Sequence, residues 1–282
     1  EYDCTYFNAL GSILQILESA TEPVPNHPAK MVMVGGTPKD LWKRFEQKFG
    51  VDVYEGFAMT EAPVLFQNCH PDKSQRIIGS CGKPVFFDLG RKVKVVNDQN
   101  EEVRIGTGEM LQKGDGFITK GYWNAPEAEK EAFDEEGWFR TGDLVKVDEE
   151  GNFYFVDRNK FMIRVAGENV SAFEVEEVIH KHPSVAQCAV VPVPDQIKGE
   201  EIKAFIKLTD RASLFSFNEI VQLCADQLAH FKVPRYYELV EEFPRTPTER
   251  IQKIALKEEE KNNQDHGWDR NIEMPDWRKI YY

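Results

Sequence analysis

Residues 31–54 read MVMVGGTPKDLWKRFEQKFGVDVY, and this stretch decides the fold class. Met31-Val32-Met33-Val34 is a short apolar run of strand character that enters the turn Gly35-Gly36-Thr37-Pro38. Lys39 to Phe49 then predicts a helix, and Val51-Asp52-Val53-Tyr54 the next strand. Strand, glycine-rich turn, helix, strand sets two strands parallel, so the fold class is α/β. Outward from there, Tyr6 to Leu17 carries apolar residues near helical spacing and predicts a helix, ended by the loop from Pro23 to Pro28. Gly79 to Pro84 predicts a loop, and short alternating strands from Val93 to Tyr122 predict a β-rich subdomain.

A hairpin is expected from Leu144 to Val156, with apolar strands on either side of Asp148-Glu149-Glu150-Gly151. A hairpin brings its ends together, so Asp143 and Arg158 should face a common site. An acceptor-only carboxylate beside a guanidinium fork suits a diol such as a ribose edge, and serves equally as an ion pair closing the hairpin. Past Lys160 the pattern changes. Phe161 to Val165 predicts a strand, Ala172 to His180 a helix with acids in its first turn, and Val185 to Val193 and Ile202 to Leu208 two more strands. Phe217 to Leu228 predicts a helix and Tyr236 to Val240 a strand. Two helices on a three-stranded sheet make a small α+β domain. The expected division is residues 1–159, then 160–262, then a tail at 263–282. The remainder from Lys257 reads as a charged helix followed by that polar, Trp-containing tail, which has no readable role.

A net charge of −13 over 282 residues argues against general nucleic-acid binding and against docking on anionic lipid. Cys4, Cys69, Cys81, Cys188 and Cys224 are scattered, without a C-x-x-C pair. Free thiols in a reducing, cytoplasmic compartment are expected. His180 and His182 would point to different faces of a helix, so no metal pair is expected there. No apolar run reaches the length of a membrane span, and the start does not read as a signal peptide. Beginning at Glu1 without a methionine, the chain reads as a fragment or processed piece.

Thr141-Gly142-Asp143, the hairpin, Asp157-Arg158-Asn159-Lys160 and Gly167-Glu168-Asn169-Val170 together resemble the signature of the acyl-adenylate-forming (AMP-binding) enzymes. These include acyl-CoA synthetases, luciferases and the adenylation domains of peptide synthetases. Gly56-Phe57-Ala58-Met59-Thr60-Glu61 resembles the family's Gly-Tyr-Gly-x-Thr-Glu. The segment from Pro244 to Lys253 resembles its C-terminal Pro-x-Thr-x-x-Gly-Lys-Ile-x-Lys. Gly167-Glu168-Asn169-Val170-Ser171 and Ile202-Lys203-Ala204-Phe205 are most similar to the crotonobetaine/carnitine–CoA ligase branch. The resemblance covers most of this chain and the C-terminal half of a typical member.

It implies part of a large mixed α/β N-domain with a β-rich subdomain, then a small mobile α+β domain. It implies a ligase that uses ATP, Mg²⁺ and coenzyme A, taking a small carboxylic acid to its adenylate with release of pyrophosphate and then to the CoA thioester. No nucleic-acid partner and no membrane span are implied, and a homo-oligomer of the full enzyme is left open. Gly35, Gly36, Thr37 and Pro38 would line the adenine pocket, since glycines let a flat base approach the backbone. Glu55 and Gly56 belong to that cofactor-binding set, and Phe57 would stack on adenine. Thr60 would contact the α-phosphate, and Glu61 would hold Mg²⁺, which prefers hard oxygen ligands. Asp143 and Arg158 would take the ribose, and Arg164 and Asn169 would lie near the phosphate. Ala166 and Gly167 would border the pantetheine channel, and Gly79 to Pro84 would wall the acyl pocket. Lys160 would be the hinge about which the small domain swings.

Three departures stand out. Ala58 replaces a glycine. Glu249-Arg250 replaces Gly-Lys, so Arg250 would take the catalytic lysine's part with a larger planar head, and Lys253 is a second candidate. The Thr-Ser-Gly-Thr-Thr-Gly-x-Pro-Lys phosphate loop does not occur in these residues, so the chain alone is expected to be inactive. Two rivals remain open: a silent nucleotide- or partner-binding remnant, and a peptide-synthetase-type adenylation module.

Overall fold

The computed structural model describes residues 3–20, 22–62, 66–68, 70, 72–85, 90–114, 116, 118–209, 215–246, 250–261, 263 and 265–282. Cys69 and the Pro247-Thr248-Glu249 part of the C-terminal motif lie outside the described residues. The chain divides into two compact units, Glu1–Val156 and Asp157–Tyr282.

In the first unit β1 (Tyr6–Leu10), α1 (Gly11–Ala20), β2 (Met31–Gly35), α2 (Lys39–Phe49) and β3 (Asp52–Phe57) follow in order. β1, β2 and β3 are parallel neighbours, and β4 (Phe66–Asn68) and β5 (Lys83–Pro84) continue the sheet antiparallel. The α/β class is therefore as expected. The helix expected from Tyr6 begins instead at Gly11. Tyr6, Phe7, Ala9 and Leu10 satisfy a strand's spacing as well as a helix's, and pairing with β2 along all five residues decides for strand. Pro84, assigned to a loop, lies in β5.

α2 buries Leu41, Trp42 and Phe45, and ends at Gly50, whose φ of +65° lets its N–H return to the Glu46 carbonyl at 2.9 Å. These side chains and Leu14 of α1 pack with Val32, Val34 and Val53 in one core. The strand register puts Val32 beside Val53 and Ala9 beside Val34, so both helices cover the same face of the sheet. Successive right-handed crossovers progressing in one direction produce that arrangement. On the opposite face Tyr6 and Leu10 are exposed.

A four-stranded antiparallel sheet follows. It is built from β6 (Lys92–Val96), β7 (Gly106–Lys113), then after α3 (Pro126–Ala132), β8 (Phe139–Val147) and β9 (Phe153–Arg158). β8 and β9 are the expected hairpin. Its turn is tied by Asp148, whose Oδ1 accepts the Asn152 N–H at 2.7 Å. The alternating strands expected up to Tyr122 stop at Lys113.

The second unit runs β10 (Met162–Val165), β11 (Glu168–Ser171), α4 (Ala172–Ile179), β12 (Val185–Asp195), β13 (Gly199–Leu208), α5 (Phe217–Gln227) and β14 (Tyr236–Leu239). It ends with α6 (Lys253–Glu260), β15 (Trp268–Asp269), α7 (Arg270–Glu273) and α8 (Trp277–Tyr281). Its sheet has six strands rather than three, because the β10–β11 hairpin and β15 join it. Alternation along β12 and β13 divides the core. Cys188, Val190, Ile202, Ala204 and Ile206 pack toward α4 and α5, while Ala189, Val191 and Phe205 pack with Leu256 of α6. Lys203 is fully buried and pairs with Glu260 at 2.8 Å and Glu238 at 2.7 Å. The residues after 263 carry β15, α7 and α8, and Trp277 lies in the α4–α5 core.

Candidate functional site

Gly35-Gly36-Thr37-Pro38 leaves the carboxyl end of β2, and Glu55-Gly56-Phe57 closes β3 beside it. In an open α/β sheet, ligands bind outside that end of the strands. Glu55 Oε1 accepts the backbone N–H groups of Gly36 at 2.6 Å and Thr37 at 3.4 Å, which pins the turn to β3. Gly36 has a φ of +71° and open space where a β-carbon would stand. Gly11 supports the turn from below, since a β-carbon there would fall on the Gly36 carbonyl oxygen. The sequence offered no signal for that contact.

Glu55 is only 4% exposed, and its Oε2 has no hydrogen-bond partner among the described residues. Burial pushes its carboxyl up to about 7, against the pull of the Thr37 side chain and then of the Gly36 and Thr37 backbone N–H groups. An orphaned carboxylate oxygen beside a turn without a β-carbon fits a flat ring bearing a hydrogen-bond donor, as adenine does. Phe57 is half-buried, and its ring lies 6.3 Å from Phe155 at 24° within the core of the β6–β9 sheet.

Asp143 lies in β8 and is 1% exposed. The β7–β8 register shifts between Glu109 and Leu111, so Thr141-Gly142-Asp143 sits at a bulge, a device that re-aims side chains. Thr141 Oγ1 accepts the Asp143 N–H at 3.1 Å and donates to the Met110 carbonyl at 2.6 Å. Cys81 lies within electrostatic reach of both this acid and Glu55. Its thiol is pushed up to about 12, chiefly by burial and then by the charges of Glu55 and Asp143. The loop carrying Cys81 is fixed by Ser80, whose hydroxyl donates to the Phe153 carbonyl at 2.9 Å, and by Asn68, whose Nδ2 donates to the Ser80 carbonyl at 3.1 Å.

Thr60 is exposed and Glu61 half-exposed just beyond β3. The Glu61 carbonyl accepts the Thr119 N–H at 2.7 Å, and Glu61 Oε1 accepts the Tyr122 hydroxyl at 3.3 Å. No group of three or more metal-ligating side chains occurs among the described residues. A single carboxylate such as that of Glu61 is the kind of hard oxygen ligand that Mg²⁺ takes when phosphates supply others.

In the second unit, Asp157 heads the Asp157-Arg158-Asn159-Lys160 motif without a role expected of it. Its Oδ2 accepts the Ser171 hydroxyl and the Phe173 N–H, each at 3.0 Å, fastening Asp157 to the start of α4. Arg158 ends β9, and Lys160 is exposed in the 3-10 turn Asn159–Phe161, its Nζ 5.2 Å from the Phe161 ring. Arg164 and Asn169 are exposed cross-strand partners in the β10–β11 hairpin. Ala166 and Gly167 form its turn with φ of +52° and +89°, both left-handed as a type I′ turn requires. The hairpin thus gathers Arg164, Ala166, Gly167 and Asn169.

Arg250 is exposed, and its carbonyl accepts the Thr246 N–H at 2.8 Å. Lys253, its rival, lies 2.5 Å from the buried Glu176 and 5.2 Å from the Phe161 ring.

Residues 1–123 match the model of the AMP-binding enzyme family, and residues 174–250 that of the AMP-binding enzyme C-terminal domain. The long-chain-fatty-acid–CoA ligase FadD13 of Mycobacterium tuberculosis is 36% identical over 252 residues, 89% of this chain and 48% of that protein. The crotonobetaine/carnitine–CoA ligase of Proteus mirabilis is 37% identical over 216 residues, 76% of this chain and 41% of that protein. Among solved structures, the Bacillus subtilis o-succinylbenzoate coenzyme A synthetase (MenE) with ATP and magnesium ion superposes with a TM-score of 0.75. It is 29% identical and covers 90% of this chain and 51% of its own. The chain spans about half the length of the curated relatives it matches.

Proposed function

The chain belongs to the AMP-binding enzyme family, and on that premise we propose that it is the C-terminal half of an AMP-forming acyl-CoA ligase. The observation that carries this reading is the clip between Glu55 and the Gly36 and Thr37 N–H groups, with Glu55 Oε2 left for a ligand. In the first half-reaction a substrate carboxylate oxygen attacks the α-phosphorus of ATP and pyrophosphate leaves. In the second, the CoA thiol attacks the acyl carbonyl and AMP leaves.

Gly35 to Pro38, Glu55, Gly56 and Phe57 hold adenine in this reading, and Asp143 and Arg158 hold the ribose. Thr60, Arg164 and Asn169 contact phosphate, and Arg250 spans carboxylate and phosphate as charge passes between them. Bound Mg²⁺, with Glu61 as its protein ligand, supplies charge neutralisation at the phosphates. Lys160 is the hinge between the half-reactions, and Ala166-Gly167 borders the path of the thiol.

The phosphate loop does not occur in these residues, so the full reaction needs a preceding half that carries it. A reducing, cytoplasmic setting accords with the free thiols of Cys4, Cys81, Cys188 and Cys224. No helix among the described residues is long and apolar enough to cross a membrane. The test is pyrophosphate exchange by the complete enzyme over a panel of acids that includes carnitine and crotonobetaine. Exchange with at least one acid is expected. Its absence across the panel, with ATP bound, would leave the silent nucleotide-binding remnant.

A further inference from the structure

The residues after 263 are tied to the β10–β11 turn by an unbroken path of polar contacts. Arg235 is the centre of that path. Its Nη2 lies 2.9 Å from Asp269 Oδ2 and its Nε 3.2 Å from each Asp269 oxygen, a bidentate grip on β15. Its Nη1 reaches Asp195 Oδ2 at 3.3 Å, at the end of β12. Asp195 Oδ1 in turn accepts the Ile197 and Lys198 N–H groups at 2.9 and 2.8 Å, which sets the β12–β13 turn. The Lys198 carbonyl then accepts the Ala166 N–H at 3.0 Å. Beside it, the Arg164 N–H donates to Glu200 Oε2 at 2.8 Å.

The far end of the path is anchored in the core. Arg270 is buried, its Nη1 donates to the Val233 and Pro234 carbonyls at 2.6 and 3.0 Å, and its guanidinium stacks 3.8 Å from the Trp277 ring. The Arg270 N–H also donates to the Arg235 carbonyl at 2.9 Å, so main chain and side chain of Arg235 are both held from the tail. Ala166 needs such support. A residue with a β-carbon is strained at a φ of +52°, and the turn is otherwise exposed.

We propose that residues 268–277 are a strut that positions the Ala166-Gly167 turn for thioester formation, with Arg235 and Asp269 as its positioning residues. The role of that turn rests on the ligase reading above; the strut itself rests on the contacts alone. Charge makes it directional. Arg235 lies between Asp269 on the tail and, on the turn side, Asp195 and Glu201, the latter 3.8 Å from its Nη1, so neutralising Asp269 weakens the bidentate grip that ties the guanidinium to the tail. Local stiffening of a loop that borders a reactant's path acts on the orientation of that reactant, and leaves a step that does not use the loop unchanged.

The test uses Asp269→Asn, which keeps the side chain's shape. In the 282-residue chain, amide exchange at Ala166 and Lys198 followed by NMR should quicken about tenfold, the scale of one hydrogen bond, while Val190 in the core is unchanged. In the complete enzyme the KM for CoA should rise about tenfold with pyrophosphate exchange held within about twofold. Unchanged exchange at Ala166 overturns the strut, and so does equal loss of both half-reactions, which marks a purely structural role. Faster exchange at Ala166 in a protein that activates no acid upholds the strut and removes the ligase reading instead.

Discussion

Lys253 Nζ lies 2.5 Å from Glu176 Oε1, a carboxylate buried on α4 that also accepts the Val190 N–H at 2.6 Å. Burial raises the Glu176 carboxyl above its ordinary range, and the Lys253 charge acts against that rise. A lysine committed to a buried acid at the first residue of α6 holds the helix in place. It leaves Arg250, three positions earlier and exposed, as the cation with a free reach among the described residues of this segment.

Lys253→Ala should therefore act on stability. Removing one partner of a buried pair strands the other charge, at a cost of roughly 3–5 kcal/mol. Urea unfolding followed by the fluorescence of the buried Trp277 measures this. The double change Lys253→Met with Glu176→Leu should recover most of the loss, because neither charge is then stranded. An unfolding midpoint equal to that of the parent protein would contradict the structural role.

Glu55 predicts a pH dependence of the first unit. Its folded pKa of about 7 stands above the ordinary carboxyl value of 4.5. Between those values the folded state holds more protons than the unfolded one, so stability falls as pH rises. The contribution is fully present below the unfolded pKa and lost by pH 8, a span of about 3 kcal/mol. Glu55→Gln should flatten the curve of unfolding free energy against pH between 5 and 8. A curve of the same slope in the variant would refute the assignment.

Asp143→Ala in the complete enzyme should weaken ATP binding by roughly 1.5–3 kcal/mol, the worth of a charge-assisted hydrogen bond to the ribose. Calorimetric titration with ATP gives the number. Unchanged affinity would mean that the carboxylate at the β8 bulge serves only the sheet.

What the sequence disclosed and what it withheld divide along a physical line. The Gly-Gly-Thr-Pro turn, α2 and the β8–β9 hairpin were legible because turn chemistry and period are local properties. Tyr6 to Leu10 carries a helix's spacing as well as a strand's, and its strand state is conferred by β2, a partner distant in sequence. Lys253 showed its charge but not Glu176, so it passed for a catalytic candidate. Gly11 gave no local sign, and Cys81 and Asp157, though each stands in a segment the resemblance singles out, gave none of their contacts, since those parts consist of what stands beside them in space. The residues from 268 on were unreadable for the same reason: Arg270 and Trp277 acquire meaning only against Val233 and each other.

Lys160→Pro should separate the half-reactions. Proline fixes φ near −65°, which holds a hinge in whichever orientation tolerates that angle. Adenylation is expected to survive and thioester formation to collapse, read by pyrophosphate exchange and by thioester yield from supplied acyl-adenylate. Equal loss of both would point to misfolding and withdraw the hinge.

Arg250 bears the sharpest expectation, because this chain departs there from the family pattern and the nearest competing cation is engaged elsewhere. If the guanidinium spans carboxylate and phosphate only during adenylation, Arg250→Ala should slow that step by about 10²-fold or more, as losing one preorganised stabiliser does. Thioester formation from supplied acyl-adenylate should be nearly unchanged, since on that premise the residue has no part in it. Arg250→Lys keeps the charge but loses the planar fork, so its activity reports whether the pocket is shaped for lysine or has adapted to arginine. Because Lys253→Ala destabilises the second unit, the comparison must be made below that variant's unfolding temperature. Adenylation lost in a folded Lys253→Ala protein and kept in Arg250→Ala would shift the catalytic register by three residues and overturn the assignment.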